Sequence, residues 1–218
     1  MATKAEKVTV ETLTIPAPRM KTLVITIKGT APLMVANFSA KTQAVMREKQ
    51  EAGSQATKGK KRDARDFDLD VENARHVSAA GWDGVNASAF RLAMISACRL
   101  VGFKMTLAKL AVFVEADGYD SGSGQPLVRI LSDEGYEQSV LPARNATGVF
   151  DLRARPMWRN WSMVVRVRFD LDVFAERDVI NLMSRVGQQV GIGEGRPDSK
   201  MSAGIGFGTF EVVSSEAE

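Results

Sequence analysis

Two segments of this chain carry residue types and spacings with chemical potential, one rich in glycine and one in arginine. The first, Gly187 to Phe210, reads GQQVGIGEGRPDSKMSAGIGFGTF and holds seven of the chain's 18 glycines: Gly187, Gly191, Gly193, Gly195, Gly204, Gly206 and Gly208. Glycine is used where the backbone needs positive φ or must come close to something. So dense a cluster points to a loop lying against a ligand, another chain or the protein's own helix; a purely structural connection is the plainer alternative. Its charged residues, Glu194, Arg196, Asp198 and Lys200, cancel formally. Such a loop would act through backbone N–H groups and close approach more than through bulk charge. The second segment holds Arg144, Arg153, Arg155, Arg159, Arg166 and Arg168 against one acid, Asp151, with Trp158 and Trp161 interleaved. Guanidinium forks match phosphate geometry, and aromatic faces stack on bases. The competing reading is the basic solvent face of a sheet with its tryptophans in the core. Trp161 is in phase with Met163 and Val165 and belongs to that core; Trp158 is left open.

The elements around the glycines decide which ligands survive. Val179, Leu182, Met183, Val186 and Val190 recur at helical spacing before the loop, and a β-like run from Gly206 to Val213 follows it. Dinucleotide and P-loop fingerprints need the opposite order, strand, glycine loop, helix, because the phosphate sits on the helix N-terminus. Position 196 is Arg where a GxGxxG pattern needs Gly, and no Gly-Lys-Ser/Thr occurs. A nucleotide cofactor is excluded on these grounds, and no other cofactor is called for.

Metal and nucleophile chemistry find little support. His76 is the only histidine, in a polar segment read as exposed, and no CxxC, HExxH or EF-hand spacing exists. Asp63, Asp66, Asp68 and Asp70 could touch a divalent ion as a nuclease would, but Arg62 and Arg65 interleave them, as in a solvated mixed-charge loop. From Arg47 to Asp66 seven Lys/Arg stand against four Asp/Glu, with Lys58, Lys60, Lys61 and Arg62 at the centre. This tract cannot bury enough surface to order itself. It reads as a mobile insertion, or as a basic finger that orders on a nucleic acid or a neighbouring subunit.

With 218 residues and 44 % hydrophobic content, the chain can bury the core of one large domain. Net charge is +3 and the sequence pI about 9.1, which permits an anionic partner. The single Cys98 excludes an internal disulfide framework and sits on an apolar helical stripe as a core residue. No transmembrane-length apolar run or signal core is present, and a soluble cytoplasmic protein of a bacterial or phage-infected cell is expected.

In order, residues 1–19 read as an arm that adds an edge strand or stays mobile, and Lys21–Lys28 as a strand with Leu23, Ile25 and Ile27 on one face. Ser39 is placed to cap a short helix from Ala40 to Lys49, and residues 51–80 form the mobile insertion. A helix is expected over 86–102, closed by Gly102. A strand follows over 109–115. Between 118 and 160 lies a hairpin insertion in which 127–131 pairs with 137–141 and 151–155 forms a short strand. A strand over 161–170 presents Arg166 and Arg168 on its polar face; a helix over 176–189 and a strand over 206–213 complete the set, and residues 214–218 form a frayed tail. The strongest elements run β-α-β-β-α-β. That is the split βαβ, ferredoxin-like order, an α+β class with both helices on one face of an antiparallel sheet, here as a single domain over 1–218.

Gly191-Ile192-Gly193-Glu194-Gly195-Arg196 and Gly204-Ile205-Gly206-Phe207-Gly208-Thr209-Phe210, between a last helix and a last strand, resemble the repeat-associated RNA-binding (RAMP) superfamily of CRISPR effector backbone subunits. Gly84 to Arg99 resembles that family's small-residue turn into its first long helix, and Leu23 to Pro32 its first strand and following loop. The resemblance implies a glycine loop near bound RNA, subunits that multimerise along a guide, and a role for the 47–75 tract in gripping RNA or a neighbour. Target-cutting members use an acid in the loop after the first strand, and Gly29 to Phe38 contains no Asp or Glu. Processing members use histidine, and only His76 is available. The resemblance therefore implies a binder without catalytic residues, and a phage or mobile-element relative fits equally well.

The expectation is a non-catalytic nucleic-acid-binding protein, for single-stranded RNA of guide type more than for DNA, that self-associates or joins related subunits away from any membrane. Arg144, Arg153, Arg155, Arg159, Arg166 and Arg168 would meet phosphates, with Trp158, Arg196, Lys200 and the 58–62 cations beside them. The backbone at Gly191, Gly193, Gly195, Gly204, Gly206 and Gly208 would pack on the strand. The alternatives are a viral or phage structural or assembly protein whose glycine loop serves subunit packing, and a single-stranded DNA-binding or annealing protein.

Overall fold

The computed structural model describes residues 15–37, 66–144, 150–199 and 204–217. In chain order the elements begin with β1 (Met20–Gly29), β2 (Leu33–Met34), α1 (Phe67–Ala74), β3 (Gly84–Asn86) and α2 (Ala87–Ala97), which runs into a 3₁₀ turn over Cys98–Val101. Next come α3 (Met105–Ala111), β4 (Val112–Val114), β5 (Gly118–Tyr119), β6 (Pro126–Arg129), β7 (Glu137–Arg144) and β8 (Phe150–Trp158). β9 (Ser162–Asp170), α4 (Glu176–Arg185) with a π turn over Val186–Val190, and β10 (Phe210–Ala217) close the chain. The molecule is mixed α/β with antiparallel sheets.

The main sheet has the order β10-β1-β9-β4, every neighbour antiparallel. Alternation decides its two faces. Leu23, Ile25 and Ile27 of β1 and Met163, Val165, Val167 and Phe169 of β9 are buried. They share one core with Phe90, Met94 and Ala97 of α2 and Val179, Leu182 and Met183 of α4. Both helices start on local signals. The Asn86 side chain accepts from the Ser88 amide at 2.9 Å, and Asp178 accepts from the Ala175 amide at 3.2 Å with Glu176 also in the positive first turn of α4. Gly102, at φ 68°, ends the 3₁₀ turn. Cys98 and Trp161 are buried as their phase requires.

Smaller sheets β2-β8-β7 and β3-β6-β5 flank the main one. They correct the expected hairpin: β7 pairs with β8, from Glu137↔Met157 to Arg144↔Phe150, while β6 pairs with β3 and β5. Of the strand expected over 109–115 only 112–114 is strand, and 109–111 belong to α3. MTLAKLA is a run of good helix formers that continues to Ala111, and only three residues of strand follow. The tail is not frayed as far as Ala217, because Ser214 to Ala217 pair with Thr26 to Leu23 beyond a bulge. Of the insertion expected to be mobile over 51–80, residues 66–80 are described and hold α1. Asp66 caps α1 by accepting from the Leu69 amide at 3.1 Å, and Val71 and Ala74 are buried. The expected helix over 40–49, residues 1–14 and the 51–65 part of the insertion lie outside the described residues.

Candidate nucleic-acid interface

The arginines expected between 144 and 168 sit on strands or strand ends, and tertiary structure brings an acid to Arg153, Arg155, Arg159, Arg166 and Arg168. Arg166 and Arg168 alternate away from the core on β9, as expected. Arg166 pairs with Asp117, while Arg168 lies 3.8 Å from Glu115 and 5.4 Å from the Phe113 ring centroid. Arg159, at the end of β8, pairs with Glu137 of β7 at 2.6 Å. The sequence count of six arginines to one acid therefore describes composition along the chain and not the local field. The more exposed pairs, Arg159–Glu137 and Arg168–Glu115, contribute little to stability. The Arg168 and Glu115 side chains are 50 % and 39 % exposed, so a phosphate can compete for that guanidinium.

The structure does join the two segments singled out in sequence. Arg155 of β8 donates Nε to Glu194 of the glycine loop at 2.7 Å, and Arg153 lies 3.8 Å from the same carboxylate. Arg155 also donates Nη1 to the Ala154 carbonyl at 3.0 Å, which leaves Nη2 for another partner. The loop's second acid, Asp198, ties it to α2, accepting from Ser96 and from Arg99 at 2.8 Å. The Ser96 hydrogen bond, with Arg99 behind it, holds the Asp198 carboxyl below the usual carboxylate range. Both loop acids are thus clasps between elements.

The loop's glycines are pressed against the protein itself. A Cβ on Gly208, at φ +66°, would overlap the Ile192 carbonyl oxygen, one on Gly187 would overlap the Phe210 carbonyl, and one on Gly193 the Met34 carbonyl. Its amides are used internally as well. Ile192 N–H donates to Gly208 O at 3.0 Å, Glu194 N–H to Met34 O at 2.8 Å, Gly208 N–H to Pro32 O at 2.8 Å, and Gly206 and Phe207 both donate to Gly195 O. A phosphate cradle built from these donors is not formed. Close approach, inferred from glycine density, is real, and the surface approached is β2 and the entry to β10. Among the described residues, Gly206 alone of the seven loop glycines has nothing within 4 Å of an added Cβ. Arg196 donates to the Gly193 carbonyl at 3.0 Å.

Trp158 leaves the candidate set: at 2 % exposure, with Tyr136 5.7 Å away centroid to centroid, it has no free face for a base. Arg144 is placed by its backbone pairing with Phe150. Lys58, Lys60, Lys61, Arg62 and Lys200 lie outside the described residues. His76 is buried, at 7 % exposure, against the sequence expectation. Its Nδ1 is 3.3 Å from Asp120 Oδ2, and burial, outweighing Asp120, holds the imidazole below its ordinary pKa. Ser123 donates its hydroxyl to Asp120 at 2.9 Å, so this cluster braces the β5–β6 turn. Among the described residues no group of three or more His, Cys, Asp or Glu gathers as metal ligands do, and no helix is long and apolar enough to cross a membrane.

Sequence reasoning missed Arg75, hidden in the polar tract. Its guanidinium grips Asp83 at 2.9 and 3.2 Å, Glu72 at 2.7 Å and the Tyr136 hydroxyl at 3.1 Å, and lies 4.4 Å from the Tyr136 ring centroid. Only Glu72, three residues back on α1, is local; Asp83 and Tyr136 come from other segments, so no local pattern announces the whole network.

No protein-family model matches the sequence, and no curated protein matches it. Among solved structures the fold is similar to a chain in the type III-B Cmr-beta complex bound to cognate target RNA, with a TM-score of 0.50 at 9 % identity. The likeness covers 91 % of this chain and 60 % of that one, so the chain spans about three-fifths of its neighbour's length. What the two share at this identity is the fold.

Proposed function

We propose that this chain is a non-catalytic RNA-binding subunit of the repeat-associated type, built on a ferredoxin-like core, that assembles into a multimer along a single guide-type strand. The observation that carries the reading is the fold. β1, α2, β4, β9, α4 and β10 follow the β-α-β-β-α-β order, and the spatial order β10-β1-β9-β4 is the fourth-first-third-second arrangement of that core. The likeness to a chain of an RNA-bound complex supports the same reading. Arg166 and Arg168 on the face away from the helices, the spare Nη2 of Arg155 and the edge of the loop at Gly206 are the proposed contacts.

The test is fluorescence anisotropy with labelled single-stranded RNA, single-stranded DNA and duplex across a salt series. Light scattering on oligonucleotides of increasing length follows. Binding to single-stranded RNA with a negative salt slope, and complex mass that rises in steps with length, are expected. No affinity for any of the three at low salt would refute the reading. A protein multimer free of nucleic acid would point instead to the assembly-protein alternative.

A further inference from the structure

The sheet β3-β6-β5 meets the main sheet beside β9. The Leu131 and Ser162 backbones bond reciprocally at 2.9 Å where the two sheets meet. Beside that bridge lies a cleft of about 280 Å³ lined by Trp82, Asp117, Arg129, Leu131 and Val164. Four features give it a definite chemistry. The Trp82 ring is seated on two glycines: an added Cβ would fall 2.7 Å from its Cζ2 at Gly118 and 3.1 Å from its Cζ3 at Gly84. Of the three tryptophans it alone is not buried. Asp117 is a fixed acceptor, receiving Arg166 on one oxygen and the Arg129 amide on the other at 2.8 Å. The Arg129 guanidinium, exposed and 6.0 Å from the Trp82 ring centroid, has no carboxylate partner among the described residues. In this it differs from the described arginines between 153 and 168. Leu131, 41 % exposed, and half-buried Val164 supply an apolar floor.

A ring with apolar faces, N–H groups on its edge and an attached anion matches each wall. We propose that this cleft receives one nucleobase of a bound single strand, stacked on Trp82, with an amino edge toward Asp117 and the adjoining phosphate against Arg129. This rests on the RNA-binding reading and adds a specific base site to it. Aromatic stacking suits a strand bound with little sequence preference, because every base has a π-face.

The experiment titrates the full chain with a 12-nucleotide oligoadenylate RNA, reading intrinsic tryptophan fluorescence and, in parallel, anisotropy of the labelled RNA. Wild type should bind with quenching. Trp82→Leu should lose the quenching and weaken binding about 5- to 150-fold, the range for removal of one base–aromatic stack. Arg129→Gln, an exposed change that leaves the Trp82 seat intact, should weaken binding and lower the salt slope by about 0.7, one phosphate contact on a single strand. Wild-type binding without quenching, together with unchanged affinity in Arg129→Gln, overturns the cleft and leaves the RNA-binding reading standing. Absence of binding by wild type overturns both.

Discussion

Replacing Gly208 by alanine tests what the glycine loop is for. At φ +66° an L-residue costs about 1–2 kcal/mol. The new Cβ would overlap the Ile192 carbonyl, so the loop must shift. That shift breaks Ile192 N–H to Gly208 O at 3.0 Å and Gly208 N–H to Pro32 O at 2.8 Å, each worth about 1 kcal/mol net. A restricted unfolded chain returns about 0.5–1 kcal/mol. The net loss is about 3 kcal/mol, a drop in Tm of about 6–12 °C for a chain of this size. Gly206→Ala is the control. Its φ of +90° carries the conformational strain, but an added Cβ meets nothing within 4 Å, so the loss should be about 1 kcal/mol. Differential scanning calorimetry of the two variants beside wild type reads the difference. Equal Tm values for Gly208→Ala and Gly206→Ala would refute the packing argument. A loop whose glycines serve only a ligand would lower both Tm values alike, by backbone strain, and lower RNA affinity as well.

Three further outcomes are expected. Arg75→Lys removes the fork that joins Asp83, Glu72 and Tyr136, and should lower stability by about 2–3 kcal/mol in urea unfolding; a change under 0.5 kcal/mol would show the network to be ornamental. His76 is held below its ordinary value of 6.5, so the unfolded chain takes up a proton there before the folded one does. Stability should therefore fall as pH drops from about 6.5 toward the lower folded value, and His76→Gln should flatten that part of the urea-midpoint profile between pH 7.5 and 5.5. Arg166→Gln with Arg168→Gln should weaken single-stranded RNA binding and reduce the salt slope by about 0.7 per lost phosphate contact. An unchanged slope would remove β9 from the interface.

Much of the core was legible because its signals are local. Alternation in Leu23, Ile25 and Ile27 and in Met163, Val165 and Val167, and the helical stripes of Phe90, Met94, Val179 and Leu182, need only the period of the element. Residues 109–111 are helical where a strand is expected, because LAVFV, a short apolar run, satisfies both periods until its neighbours choose. The pairing of β7 with β8 escaped because register depends on the partner strand and not on spacing within one segment.

The site divided along the same line. By itself the sequence determined that Gly187–Phe210 makes a close approach, that the order helix-loop-strand excludes a dinucleotide cradle, and that Arg166 and Arg168 share a face away from the core. These follow from backbone sterics and side-chain period alone. Only the tertiary structure decided what is approached and what remains free. The loop closes on Pro32, Met34 and Phe210 of its own chain. Asp117, Glu115, Glu137 and Glu194 reach the arginines from segments remote or not adjacent in sequence. Trp158 is enclosed and Trp82 left half open. Charge pairing and burial are properties of distance in space, set by long-range strand pairing, and no count along the chain contains them.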